Sequence, residues 1–222
     1  MHDYQAFADR RDAGRVLASH LATYADRDDV IVLALPRGGV PVAYEVASAL
    51  AVPMDVFLVR KLGTPGHREL AMGAIASGGV RVLNQDVVQW YGISDAAIDR
   101  VAREEQDELQ RREREYRDNR PTPVLANRIV ILIDDGLATG STMRAAAQAV
   151  RAQGPARVVI AVPVGARHTC EELSAVADEV ICASMPEPFS AVGQWYLNFE
   201  QTDDAEVREL LRQSIRATEA HR

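Results

Sequence analysis

Residues 129–142 run Ile129-Val-Ile-Leu-Ile133, then Asp134-Asp135-Gly136-Leu137-Ala138, then Thr139-Gly140-Ser141-Thr142, and no other stretch constrains the fold so tightly. Five consecutive apolar residues suit a strand covered on both faces, a situation met almost only in parallel sheets packed between helices. The alanine-rich segment that follows reads as a helix. Val30-Ile-Val-Leu-Ala34 is a second run of the same kind, and 54–59, 157–164 and 180–183 read as further strands. Helical periodicity over 6–24, 40–50 and 168–177 alternates with them. That alternation predicts an α/β fold with a doubly wound, mostly parallel sheet.

At 222 residues the chain suits one compact domain, 1–222, with 84–120 as a helical insertion and 186–222 as an appended segment. The insertion centres on a charged helix over 94–117, with Ser94 as N-cap. Asp107–Arg111, Glu108–Arg112 and Glu113–Arg117 stand four apart there, and the apolar stripe of Ile98, Val101, Leu109 and Tyr116 is thin. These features predict a solvated helix on the domain edge. A hairpin is expected around Ser77-Gly78-Gly79, and Asp203 with Glu206 suggests a capping box for a last helix.

No apolar run approaches the roughly 20 residues needed to span a bilayer. Residues 1–5 lack the basic start of a signal peptide. Cys170 and Cys182 have neither metal-ligand nor redox-motif spacing and read as reduced, partly buried thiols of a cytoplasmic protein. A formal charge of −7 argues against generic nucleic-acid binding, which depends on cationic neutralisation of phosphates.

The chemistry gathers at three places. Open N–H groups at the helix start after Gly140, beside the hydroxyls of Thr139, Ser141 and Thr142, make a phosphate seat. Asp134 and Asp135 suit sugar hydroxyls or a hard cation such as Mg²⁺. A Walker-type loop is excluded, because Gly136 and Gly140 lack the spacing and no lysine follows Gly140. Leu35-Pro36-Arg37-Gly38-Gly39 follows the first apolar run; adjacent glycines let backbone approach an anion, and Arg37 can grip one bidentately. Alone, it is a weak signal that reads as an ordinary turn. Arg60 and Lys61 end the next strand and open a flexible cationic stretch through His67 and Glu69, which in isolation reads as solvated surface. His67 is a polar loop residue rather than a base, and Glu69 has no evident role. A metal-dependent hydrolase built on the two acids would leave the Thr-Gly-Ser-Thr turn and Arg-Gly-Gly unexplained.

The strand, two acids, short loop and Thr-Gly-x-Thr resemble the 5-phosphoribosyl 1-pyrophosphate (PRPP) motif of type I phosphoribosyltransferases, and the other two segments follow that family's order. Asp-Asp-Gly-Leu-Ala-Thr-Gly-Ser-Thr is most similar to the adenine enzymes, and Ala138 stands where 6-oxopurine enzymes place a further acid. The ends, from Phe7 to Gly14 and from Pro188 to Tyr196, resemble a group of bacterial phosphoribosyltransferases of unassigned substrate. The resemblance implies a transferase that moves the phosphoribosyl group of PRPP to a nitrogenous base, with Mg²⁺ as cofactor. It implies Asp134 and Asp135 on the ribose or metal, and Ala138, Thr139, Gly140, Ser141 and Thr142 on the 5′-phosphate. Arg37, Gly38 and Gly39 would take the pyrophosphate, with Lys61 arriving on a mobile loop. A small hood formed by the chain ends would select the acceptor, with Phe189, Trp195 and Tyr196 as candidate stacking residues. Homodimers are common among similar enzymes. The same fold also serves non-catalytic PRPP- or nucleotide-sensing regulators, the alternative reading.

Overall fold

The computed structural model describes residues 6–220, so the expectation for residues 1–5 lies outside the described residues. Five parallel strands form the central sheet in the order β2-β1-β6-β7-β8. They are β1 (Val30–Ala34), β2 (Met54–Val56), β6 (Ile129–Ile133), β7 (Arg157–Val164) and β8 (Glu179–Ser184). Every residue of β1 and β6 is buried, as their unbroken apolar runs require. Their side chains alternate between two cores. Val30, Val32 and Ala34, with Ile129, Ile131 and Ile133, face α1 (Arg10–His20), α2 (Gly39–Leu50) and α7 (Asp204–Ala220). Ile31 and Leu33, with Val130 and Leu132, face α5 (Ser141–Arg151).

A separate antiparallel sheet of β3 (Val59–Thr64), β4 (His67–Ala76) and β5 (Val80–Leu83) packs against α5. The expected strand over 54–59 is therefore two strands. The chain leaves the central sheet at Phe57 and Leu58, where Leu58 N–H donates to Ser77 Oγ and Ser77 N–H donates back to the Leu58 carbonyl, both at 2.9 Å. The cationic stretch expected to be a flexible loop is instead a hairpin, turning at Pro65-Gly66 with Gly66 at φ 80°.

Other boundaries moved as well. Helix α1 is shorter than 6–24, with Asp9 capping it by accepting from Asp12 N–H. Ala13, Leu17 and Leu21 are buried on its face as expected, while Val16 and His20 are exposed. Helix α6 (Arg167–Leu173) is also shorter than expected, and α3 (Gln85–Trp90) was not foreseen. Helix α4 (Asp95–Arg117) starts at its Ser94 cap, but it is docked rather than merely solvated, burying Ile98, Ala102, Leu109, Tyr116 and Arg117. The Glu108–Arg112 and Glu113–Arg117 pairs form; Arg111 turns to Glu108 and Glu115, not to Asp107. Glu206 N–H donates to Asp203 Oδ1 at 2.7 Å at the head of α7.

Cys170 and Cys182 form a disulfide, which corrects the expectation of reduced thiols. Helix α6 folds back over β8, and Gly165 leaves the space: a β carbon there would lie 2.6 Å from Cys170 Sγ. Twelve residues of separation hide this contact in the sequence; the crossover from β7 to β8 creates it. Among the described residues no helix is long and apolar enough to cross a membrane.

Candidate functional site

Strand order reverses between β1 and β6, which lie side by side with Ala34 opposite Ile133. From that point β1 connects to β2 on one side and β6 to β7 on the other. The loops leaving the two strands diverge and open a crevice at their carboxyl ends, where ligands of such sheets bind. Leu35 N–H bonds the Ile133 carbonyl at 2.8 Å, the last rung between them. Asp134 and Asp135 are the first residues beyond it.

Both acids are half-buried against the start of α2. A β carbon on Gly38 would stand 2.1 Å from a carboxyl oxygen of Asp135, and one on Gly39 2.7 Å from the Ile133 carbonyl oxygen. Of the two glycines, expected to admit an anion, Gly38 thus makes room for the Asp135 carboxylate and Gly39 for the backbone at the end of β6.

The chain ends converge on the same spot. Arg10 Nε donates to Asp135 Oδ2 at 2.8 Å, and Arg10 Nη1 donates to the Glu200 carbonyl at 2.6 Å. The guanidinium lies 4.0 Å above the Phe199 ring. Tyr196 donates its hydroxyl to the Asp135 carbonyl at 2.5 Å. Phe7 N–H to Trp195 carbonyl (2.9 Å) and Leu197 N–H to Phe7 carbonyl (2.8 Å) sew the two ends together. Among the described residues of the segment 186–222, only the part before α7 reaches the acids. Helix α7 instead buries Val207, Leu210 and Leu211 in the core with α2.

Asp134 Oδ1 accepts from Asp135 N–H at 2.9 Å. Burial, and then the neighbouring Asp135 charge, push the Asp134 carboxyl well above the ordinary carboxylate range. Burial also raises Asp135, against the pull of Arg10. A carboxyl raised in the folded state binds more protons than in the unfolded chain, so stability falls as pH rises from the ordinary aspartate value toward the raised one. Asp134→Asn should therefore raise Tm at pH 7, roughly 2–4 °C for each 1 kcal/mol gained in a chain of this size. The gain should vanish below about pH 4, where the aspartate is protonated in both states. Thermal scans at the two pH values check this, and a lower Tm at pH 7 would contradict it.

The expected phosphate seat lies on the next turn. Gly140, at φ 68°, swings the chain into α5 in a conformation that L side chains rarely adopt, and a β carbon there would meet Thr169 Cγ2 at 2.6 Å. Thr169 donates its hydroxyl to the Ala138 carbonyl at 2.6 Å, while Leu137 N–H bonds the Val164 carbonyl at 3.0 Å. The back of the loop is thus pinned to β7 and α6. Its front is open, with Ala138, Thr139, Ser141 and Thr142 exposed and the first-turn N–H groups of α5 directed outward.

A cavity of about 580 Å³ between the antiparallel sheet and α5 is lined by Lys61, Thr139, Ser141, Thr142 and Arg144. Lys61 thus shares the phosphate seat's cavity, its Nζ donating to the Glu69 carbonyl at 3.3 Å. Glu69 tethers that lysine, a role not foreseen, while His67 packs on Tyr91 with ring centroids 5.5 Å apart. A smaller cleft joins Arg37 to Thr142.

The three aromatics expected to stack an acceptor do not form an open face. Tyr196 is 6% exposed and lies between Phe7 (5.6 Å) and Phe199 (4.9 Å). It is a packing residue that orients Asp135, which corrects its assignment. Phe189 and Trp195 are half-buried and stack on each other at 6.3 Å and 21°. Arg10 was missed as a site residue, since its partner lies 125 residues away. Its place in the stretch from Phe7 to Gly14, which carries part of the family resemblance, was a local mark it did carry.

A family model described as a phosphoribosyl transferase domain matches residues 3–199. Two curated relatives from Mycobacterium tuberculosis, MT0597 of strain CDC 1551 / Oshkosh and Rv0571c of strain ATCC 25618 / H37Rv, carry the provisional name phosphoribosyl transferase. Each is 52% identical over 201 residues, covering 90% of this chain and 45% of its own length. The chain therefore spans about half the length of the curated relatives it matches. The crystal structure of TT1426 from Thermus thermophilus aligns with a TM-score of 0.83 at 43% identity, covering 94% of this chain and 99% of that one.

Proposed function

The chain belongs to the phosphoribosyl transferase domain family, and on that premise we propose that it transfers the 5-phosphoribosyl group of PRPP to a nitrogenous base, releasing pyrophosphate. One observation carries the reading. The half-buried Asp134–Asp135 pair, braced by Arg10 and Tyr196, stands a few residues before an open helix N-terminus flanked by exposed hydroxyls. Such a layout suits a sugar with a phosphate at one end.

In this reading the N–H groups of Ala138 to Thr142 and the hydroxyls of Thr139, Ser141 and Thr142 hold the 5′-phosphate. Asp134 and Asp135 accept hydrogen bonds from the ribose hydroxyls. Arg37, with the N–H groups of Gly38 and Gly39, holds the pyrophosphate, and Lys61 approaches from the β3–β4 hairpin. The base nitrogen forms its bond to C1′ as the bond to the pyrophosphate oxygen breaks, and the electron pair leaves with pyrophosphate. Positioning and stabilisation of that developing charge lower the barrier. Phe189 and Trp195 border the acceptor side.

Among the described residues no group of three or more His, Cys, Asp or Glu could hold a metal ion. Two carboxylates fit Mg²⁺ nonetheless, because that ion commonly takes one or two carboxylates and completes its shell with substrate phosphates and water. Asp134 and Asp135 would hold it, and when bound it would supply charge neutralisation to the pyrophosphate.

A panel of bases offered with PRPP and Mg²⁺, read by pyrophosphate release, tests the proposal. Release with at least one base is expected. No binding of PRPP would overturn the reading, and tight PRPP binding without release for any base would favour the sensing regulator.

Lys61→Ala should lower kcat and kcat/KM together, by about 10²-fold if the lysine meets only the charge that develops on pyrophosphate. PRPP affinity, by calorimetry, should change less than about twofold. Equal losses in affinity and rate would place Lys61 in the ground-state complex instead.

A further inference from the structure

The disulfide between the chain's two cysteines lies behind the loop that carries the expected phosphate seat. Cys170 belongs to α6 and Cys182 to β8, the edge strand of the central sheet. Helix α6 has seven residues and buries three of them, Thr169, Cys170 and Leu173. Each of the three backs the loop. Thr169 donates its hydroxyl to the Ala138 carbonyl and presents its methyl to Gly140. Leu173 comes within 3.5 Å of where a β carbon on Gly140 would stand, and Cys170 Sγ fills the space above Gly165, which pairs with Leu137 of the loop. The ion pair from Glu172 of α6 to Arg144 of α5 is part-exposed at 3.6 Å and adds little. The disulfide is therefore the one covalent tie that holds this short helix to the sheet.

We propose that Cys170–Cys182 is a site of thiol–disulfide exchange whose state sets the affinity of the phosphate seat. This goes beyond phosphoribosyl transfer and rests on that reading only for the seat itself. The front of the loop is open, so its shape depends on what pins it from behind. Oxidised, α6 holds the loop so that its N–H groups converge. Reduced, α6 can shift from β8, and hydrogen bonds to a phosphate weaken steeply as their angles degrade. The reductant is a small dithiol. Its thiolate attacks Sγ of Cys182, the less buried of the two, and the S–S bond breaks with the electron pair leaving on Cys170, which takes up a proton. The second thiolate then attacks the reagent's own sulfur in the mixed disulfide, closing a cyclic disulfide and releasing Cys182 as a thiol. Two electrons and two protons thus pass from the dithiol to the protein. Such coupling is reciprocal, so a phosphate ester that prefers the oxidised seat makes the disulfide harder to reduce by the same factor.

The test titrates ribose 5-phosphate into oxidised wild type, its disulfide established by peptide mapping, and into the same protein reduced with dithiothreitol. Calorimetry should show affinity lower by about fivefold or more after reduction, the scale of a typical coupling between sites. Equilibration in a dithiothreitol redox buffer, read by counting thiols, should show the disulfide favoured by the same factor when ribose 5-phosphate saturates the seat. Cys170→Ser with Cys182→Ser should bind like reduced wild type in either buffer. Thr169→Val, which keeps the side chain's size but removes the bond to Ala138, should bind weakly in both states and lose the redox dependence. Equal affinity of oxidised and reduced wild type would overturn the proposal and leave the seat standing. So would thiols that stay free in air, a redox effect kept in full by Thr169→Val, or a reduced protein that circular dichroism shows to be unfolded. If neither state binds ribose 5-phosphate or PRPP, the seat fails and the proposal fails with it.

Discussion

Converting Asp134 and Asp135 together to asparagine is expected to abolish tight PRPP binding and to lower phosphoribosyl transfer by at least about 10²–10³-fold, the range seen when one charge-stabilising group is lost from an active site. The substitution nearly preserves volume, and the side-chain oxygen of residue 134 can still accept from the N–H of residue 135, now 2.9 Å from Asp134 Oδ1. What disappears is the pair of negative acceptors for ribose hydroxyls or Mg²⁺. The effects on folding oppose each other. Neutralising residue 134 relieves a charge disfavoured by burial, while neutralising residue 135 removes the ionic partner of Arg10, whose side chain is 11% exposed. The double variant should therefore fold. Calorimetry with PRPP, alongside circular dichroism, decides the matter; unchanged affinity in a folded variant would end the site assignment.

Arg117→Met should destabilise the protein by about 3–5 kcal/mol, the usual cost of removing one partner from a buried ion pair. The Arg117 side chain is 2% exposed. Its Nε faces both Asp55 oxygens at 3.1 and 3.2 Å, Nη1 donates to Glu113 at 2.8 Å, and Nη2 donates to the Val56 carbonyl at 2.7 Å. Burial raises the Asp55 carboxyl above its ordinary value, and Arg117 is the chief group opposing that rise. Without the arginine, the raised carboxyl binds a proton more readily in the folded state. The loss should accordingly be largest at neutral pH and shrink as pH falls through the raised Asp55 pKa. Urea unfolding at two pH values tests this, and a pH-independent loss below about 1 kcal/mol would show the pair to be dispensable. Asp55→Leu with Arg117→Met should recover much of the stability, since an apolar pair can replace a buried ionic one. The pair also clamps the end of α4 to β2.

Some of this was legible residue by residue. The runs 30–34 and 129–133 could only be strands covered on both faces, because five apolar side chains in succession leave no face for water. Ser94 capped its helix as its side chain allows, and Asp134, Asp135 and the turn through Thr142 marked a candidate site through chemistry that is local in sequence.

Tertiary structure decided the rest. Arg10 and Tyr196 reach Asp135 across 125 and 61 residues, Arg117 reaches Asp55 across 62, and no periodic pattern encodes such pairings. The strand reversal between β1 and β6 fixes which loops share a crevice. Phe57 N–H still bonds the Ala34 carbonyl, but Leu58 pairs through its N–H and carbonyl with Ser77, and beyond it the expected loop is a hairpin. Phe189, Trp195 and Tyr196 read as candidate stacking residues, but Phe189 and Trp195 stack on each other and Tyr196 packs between Phe7 and Phe199, contacts that remove apolar surface from water. Local sequence determined the two apolar strands at the centre of the sheet and where two acids adjoin a candidate phosphate seat. Burial and long-range pairing decided that Arg10 and Tyr196 brace Asp135.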